Sequence, residues 1–290
     1  MDMGLAVAVL AAFVWGCYLF ALKRYFPAYS ASVIIAVVHP IAIGLYLPIA
    51  IGSMPAAGPS PLRLLLDGGV GIAVIVVSNS LAFMAFIRAI TVGEISYVAP
   101  ISKIVPAFVL PLELLLLGEH LTPLQLVGVA LATVAVYVAN FQGGAWLAPL
   151  RRAAHSRAAQ FALLSAALYA VGDVGRRVTL QELAVPPQLL VVALLGGMTI
   201  VLAPQAARTW PGGVREDLPK FLVAGAVVAA GEHTTMIAFS TLPASIASPI
   251  INTQAIVAVV LGGLVLREEA FGLRLLAAAL AVCGVTLIAI

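Results

Sequence analysis

The stretch APISKIVPAFVLPLELLLLGEHLTPLQL, Ala99 to Leu126, is written a second time as SPIINTQAIVAVVLGGLVLREEAFGLRL, Ser248 to Leu275. Pro100 falls on Pro249, Ile101 on Ile250, Leu117 on Leu266 and Glu119 on Glu268, at one offset and without a gap. Both blocks run on into another apolar segment. An internal duplication of this kind, in an apolar chain, marks a membrane protein assembled from two halves around a central site.

The rest of the composition agrees. The chain has 290 residues, of which 63% are hydrophobic and 9% charged, and its mean hydropathy is +1.14. A soluble domain carries about a quarter charged residues. Apolar runs of roughly 17–25 residues recur, the length of a helix crossing a hydrocarbon core about 30 Å thick. The strict alternation of transmembrane barrel strands is missing from the sequence. A net charge of +3, spread over loops, gives no reason to expect nucleic acid. Cys17 and Cys283 fall in apolar segments near opposite chain ends and read as buried free thiols, not a disulfide. Met1–Met3 lacks a basic leader and the first apolar run is long, so no cleaved signal is expected.

The pattern predicts ten transmembrane helices, at 3–23, 31–52, 66–88, 94–117, 123–141, 158–178, 187–205, 219–240, 244–266 and 270–290. Their connections carry the punctuation: Ser53–Pro61, Gly143–Arg157, Val185–Pro187 and Arg208–Pro219. Gly143–Arg157, with Arg151, Arg152, His155 and Arg157, is the joint between a first five-helix repeat (1–145) and a second (155–290), which together form one transport domain. The duplication reaches the earlier helices at a slightly different offset. There Lys23-Arg24 falls on Arg176-Arg177, Phe86 on Phe239 and Asn79 on Glu232, and about four residues are then missing before the ninth helix. Five is odd, so the second copy enters the membrane from the opposite side and the repeats are inverted. The expected fold is an all-α integral membrane protein of two inverted five-helix repeats.

Alternate loops divide the basic residues unevenly. Lys23, Arg24, Arg88, Arg151, Arg152, Arg157, Arg208, Arg215, Lys220, Arg267 and Arg274 fall on one side, and Arg63, Arg176 and Arg177 on the other. The positive-inside rule then puts both termini outside the cytoplasm.

LLLLGEHLTPLQLVGVALATVAVYV (Leu114–Val138) resembles the C-terminal signature of the EamA repeat in the drug/metabolite transporter superfamily, and LVLREEAFGLRLLAAALAVCGVTLI (Leu264–Ile288) resembles it again. Trp15-Gly16, and Tyr169 followed by Arg176-Arg177, also fit that family. The resemblance spans essentially the whole chain and is specific for fold, not substrate. It implies ten helices, inverted five-plus-five repeats, export or exchange of small metabolites, and both termini in the cytoplasm, opposite to the charge count. Lys103 and Glu232 depart from many members by placing charge inside helices, which argues against an uncharged drug pocket.

The expected function is a secondary transporter. It would move a small polar metabolite, of the amino acid or organic anion class, across the inner (plasma) membrane by alternating access, with proton coupling. The competing readings are a flippase for lipids or lipid-linked metabolites and a passive facilitator or channel. A channel usually takes its symmetry from several subunits, whereas this chain carries it internally. The four histidines, His39, His120, His155 and His233, lack ligand spacing, and the sequence shows neither a nucleophile–base pair nor a phosphate loop. Thus neither an enzyme nor a metal or cofactor is expected. Partners are the substrate and membrane lipids, and the assembly is a monomer or homodimer.

A charge at mid-membrane costs at least roughly 2.5–3.5 kcal/mol, so such residues point inward with a partner or a task. Lys103 sits between Pro100 and Pro106. Pro106 has no N–H, so the carbonyl of Ser102 loses its helical donor and lies free beside an ammonium, a setting for an anionic or zwitterionic substrate. Alternatively Lys103 forms a structural pair with Glu113, Glu232 or Asp173. Glu232 and His233 together can take and release a proton, or Glu232 can simply orient helices through a salt bridge to Lys103. Asp173 stands three and four residues before Arg176 and Arg177. That spacing gives an intrahelical ion pair near a membrane boundary, or else a gate pair that breaks on opening, with Asp173 then a coupling residue beside Glu232 and His233. His39 is a wall residue or a proton carrier. Asn79, matched to Glu232, and Asn252 and Gln254, in the layer of Lys103 and Val105, contact substrate or tie helices together. Trp15, Tyr18 and Tyr169 line the cavity; Tyr97 reads as an interface anchor. Glu119, Glu268 and Glu269 cap helices or pair with arginines. Gly68, Gly69, Gly71, Gly196, Gly197, Gly262 and Gly263 let helices approach closely or slide. Pro40, Pro48, Pro100, Pro106 and Pro111 predict bends in the second and fourth helices.

Overall fold

The computed structural model describes residues 3–53, 59–102, 104–117, 155–242, 244–266 and 271–289, with isolated positions between 122 and 138. The described residues are helical, without strands. In hydrocarbon, backbone N–H and C=O groups have no water to turn to, and a helix satisfies them within one segment. The elements are α1 (Met3–Tyr25), α2 (Ala31–Gly52), α3 (Pro61–Asp67), α4 (Gly69–Val92), α5 (Ile95–Ser102), α6 (Val105–Leu117) and α7 (Arg157–Arg177). A π-helical turn, Val178–Glu182, prolongs α7. It is followed by α8 (Pro187–Arg208), α9 (Leu218–Thr241), α10 (Ala244–Asn252), α11 (Gln254–Val265) and α12 (Phe271–Ala289).

Serines begin several helices by accepting a backbone N–H: Ser30 from Val33, Ser60 from Arg63 and Ser156 from Ala159. Among the described residues, six helices are long and apolar enough to cross a membrane. Their outward faces carry exposed Leu45, Ile49, Val70, Ile200 and Val223, as lipid-facing surfaces must. Cys17 and Cys283 are free, but neither is buried as expected: Cys17 is half-buried and Cys283, on α12, is exposed.

Two expected helices are discontinuous. The expected 94–117 helix is α5 and α6, and the expected 244–266 helix is α10 and α11. In the first, Pro106 supplies no donor to Ser102, and the chain passes the gap with a three-residue bond from Ala107 N–H to Ile104 O (2.9 Å). The second break falls at Thr253, the repeat partner of Ile104, where no proline is available. Here side chains compete for the carbonyls: Thr253 Oγ1 donates to Ile250 O at 2.7 Å and Asn252 Nδ2 to Ser248 O at 2.8 Å. The third expected helix is α4, which starts at Gly69 after the short α3 and Gly68. Pro40 and Pro48 lie inside α2, which stays one helix. Most of the expected fifth helix, together with Lys103, Glu119, Glu268 and Glu269, lies outside the described residues.

Packing is organised by two intimate antiparallel pairs, α4 with α7 and α1 with α9. Between them α2 packs on α8 at one side and α5 on α11 at the other. Small residues bring the helices together. A Cβ at Gly71 would strike Thr179, and one at Gly197 would strike Val76. One end of the bundle gathers Lys23, Tyr29, Gly93, Glu94, Asp217 and Arg274; the other gathers Gly4, Gly68, Thr179, Gln181 and Thr241. Arg176, assigned above to a loop at the second end, is inside the bundle at 6% exposure. That leaves Arg63 and Arg177 as the basic residues of that end.

Candidate functional site

The two helix pairs face one another across a cavity of about 110 Å³. A single water needs roughly 10–15 Å³ on the same measure, so the cavity has room for a small solute. From α1 and α9 it is lined by Trp15, Tyr18, Glu232, Thr235 and Phe239. Asn79, Phe83, Tyr169, Asp173 and Arg176 line it from α4 and α7. His39 and Met198 close the α2–α8 side. The opposite side is closed by Val105, Ser248, Asn252 and Gln254, residues at the two helix breaks.

Arg176 is the centre of the polar cluster. Its Nη1 donates to Asp173 Oδ1 at 2.9 Å, and its Nη2 donates to Asn79 Oδ1 at 3.0 Å and stands 3.8 Å from Glu232 Oε2. The Asp173–Arg176 spacing gives the expected pair, but not at a membrane boundary. The π-helical turn carries α7 on to Glu182, so Arg176 lies more than a turn inside the helical segment. Gly172 makes the meeting with α4 possible, since a Cβ there would collide with Asn79 Nδ2. Ser248 Oγ donates to the other oxygen of Asp173, Oδ2, at 3.3 Å, and Asn252 Nδ2 donates to Ser248 Oγ at 3.2 Å. The cluster is thereby wired to the break at Thr253. Arg176 Nε and Glu232 Oε2 have no hydrogen-bond partner among the described residues.

Trp15 Nε1 donates to Thr235 Oγ1 at 2.8 Å, tying α1 to α9, and its ring meets Tyr18 edge-on at 5.7 Å between centroids. His39 Nδ1 donates to Leu195 O at 3.3 Å, which fixes that tautomer. His233, paired with Glu232 in the sequence reading, does not line the cavity. Successive helical residues point about 100° apart, and His233 Nδ1 is 2.8 Å from Tyr46 Oη on α2. Thus Trp15, Tyr18, His39, Asn79, Tyr169, Asp173, Glu232, Asn252 and Gln254 come together at one cavity, and His233 does not. Lys103 is outside the described residues, although Val105, two positions on, is a wall residue. Ser248 and Thr235 were missed, and Arg176 was expected only as the partner of Asp173 in an ion pair or gate, not as a wall of the cavity.

The model of the EamA-like transporter family matches residues 2–141 and again 156–290. The chain belongs to the EamA-like transporter family. It is therefore a multi-pass membrane transporter of the drug/metabolite type, from a family that is generally non-enzymatic. No curated protein matches it in sequence. Among solved structures, one described only as the crystal structure of a protein is similar with a TM-score of 0.62 at 15% identity, over 97% of this chain and 96% of its own. At that identity the likeness speaks for the fold alone.

Proposed function

We propose that this EamA-family chain is a secondary transporter that carries a small polar metabolite of the amino acid class across the cell's inner membrane by alternating access, with Glu232 as the proton-coupling carboxylate. The observation that carries the reading is the buried Asp173–Arg176–Glu232 cluster in a cavity walled by both halves of the chain. A buried charge without a partner is costly, so such a cluster is retained for a task. Among the described cavity residues two carboxylates accompany one guanidinium. A zwitterionic solute meets both signs of charge there. The aromatic rings of Trp15, Tyr18 and Tyr169 suit the less polar part of such a solute.

The ten-helix, inverted arrangement belongs to this reading. Its support is that packing exchanges under the sequence correspondence. The α4–α7 pair answers α9–α1, α6–α7 answers α11–α1, and α4–α8 answers α9–α2. Lys103, next to the first break, is assigned to the substrate's carboxylate end.

The test is counterflow of labelled amino acids and organic acids in proteoliposomes across a pH series, with wild type, Glu232→Gln and Lys103→Ala. Saturable counterflow of an amino acid is expected, with its pH dependence lost in Glu232→Gln. Non-saturable flux, or a Glu232→Gln carrier with an unaltered pH profile, overturns the corresponding part of the reading.

A further inference from the structure

The α1–α9 and α4–α7 pairs are tied across the cavity near its two ends, and the two ties are built on the same need. At one end α4 stops at Val92, leaving the carbonyls of Ile90 and Gly93 without helical donors. Lys23, in the last turn of α1, donates its Nζ to both, at 2.9 Å for Gly93. Its neighbour Leu22 on α1, and Phe86 and Ile90 on α4, are buried. At the other end α9 stops at Thr241. The carbonyl of Phe239 would take the N–H of residue 243, but that residue is a proline. Gln181, in the π-helical turn after α7, reaches across and donates Nε2 to Phe239 O at 3.1 Å. Each tie therefore joins one helix pair to the other and ends on a carbonyl that a helix terminus has orphaned.

The ties differ in strength. Lys23 makes two bonds with a charged donor at a helix C-terminus, where the backbone dipole favours a cation. Gln181 makes one neutral bond and is exposed.

We propose that Lys23 and Gln181 are the latches of two alternating gates, and that the Gln181 latch is the weaker, so that the resting carrier opens preferentially at the end bearing Gly4, Thr179 and Thr241. This rests on the alternating-access reading proposed above.

Side-specific thiol labelling tests it without a known substrate. In the full-length chain Cys17 and Cys283 are replaced by serine and Ser248→Cys places one thiol in the cavity. An impermeant maleimide is applied to either face of sealed vesicles. Arg63→Cys and Arg215→Cys, both exposed, mark which bundle end faces the reagent.

The cavity thiol is expected to react faster from the Arg63 end. Gln181→Leu should raise that rate about fivefold, the ratio set by one ordinary hydrogen bond. Lys23→Met should raise reaction from the Arg215 end by roughly tenfold or more, because charged donors are stronger. Lys23→Arg should retain the wild-type pattern. The proposal is overturned if Gln181→Leu leaves the Arg63-end rate unchanged, or if both substitutions open the same end. The Gln181 arm decides even if Lys23→Met fails to fold, since the exposed amide carries no core packing. A cavity thiol that never reacts from either end, while both markers react, removes the alternating-access reading and the latches with it.

Discussion

Lys23 and Arg176 hold corresponding places in the two halves and do different work. Lys23 finishes its helix at the bundle end and holds the carbonyls of Ile90 and Gly93. Arg176 turns into the cavity to meet Asp173, Asn79 and Glu232, and the task at its own end is met by Gln181. The neighbouring positions diverge in step. Gly172 admits Asn79 to the guanidinium, whereas its counterpart Leu19 fills part of the cavity with an apolar side chain. A duplicated cation becomes free for ligand chemistry once another donor serves the helix end that symmetry assigned to it.

The largest expected effect separates these two cations. Arg176→Met leaves Asp173 and Glu232 buried against each other, and breaking a buried pair in this way costs about 3–5 kcal/mol. The variant should lose transport and unfold well below wild type in a detergent thermal melt. Lys23→Met removes hydrogen bonds at a half-buried site and should cost about 1–3 kcal/mol. Equal melting losses in the two variants would break the comparison.

A smaller effect sharpens it. Gly172→Ala forces α4 and α7 apart at the Asn79 contact, an overpacking cost of about 1–3 kcal/mol. It should weaken substrate binding by moving Asn79 off Arg176, and adding Asn79→Ala should restore stability, measured by the same melt. Failure of that rescue would show that the close approach serves packing alone.

The smallest effect compares the starts of α9 and α4. Before α9, Asp217 accepts from Lys220 Nζ at 2.6 Å and from Tyr29 Oη at 2.7 Å. Before α4, Gly68 offers no side-chain cap. The Lys220 hydrogen bond first, then that of Tyr29, holds the Asp217 carboxyl below the usual 3.8. Burial, then the bond to Asp217, pushes the Tyr29 phenol up to about 12. A depressed carboxyl stabilises the fold above its unfolded value and loses that contribution as pH falls through the lower folded one. Acid titration of stability below about pH 3.8 should therefore flatten in Asp217→Asn. Asp67→Asn, which removes the exposed pair with Arg63, should leave the same limb unchanged.

Much of this architecture was legible because apolar run lengths and a duplicated block are properties of the chain itself. Polar residues inside apolar helices are costly enough to announce themselves, so Asn79, Glu232 and Asn252 could be picked out and do reach one cavity. The limits were local. Arg176 looked like an ordinary end-of-helix cation because nothing in VTLQE signals a π-helical turn that prolongs the helix. His233 was joined to Glu232 by adjacency in sequence, but a helix turns neighbours toward different partners. The break at Thr253 was missed because it has no proline; its mark was the polar run Asn252-Thr253-Gln254 in an apolar segment.

That second break has a property the first lacks. No rearrangement gives Pro106 an N–H, so the carbonyl of Ser102 can never gain its helical donor. Between α10 and α11 the break is lined by side-chain bonds, from Asn252 to Ser248 O and from Thr253 to Ile250 O, the latter shared with the Thr253 N–H, and every residue from Ile250 to Ala258 keeps a backbone N–H. One half of the chain thus has a helical bond that can never form, and the other a joint whose backbone donors are all present and that can heal into continuous helix. The joint that can heal is the one whose Ser248 also holds Asp173, within reach of whatever occupies the cavity.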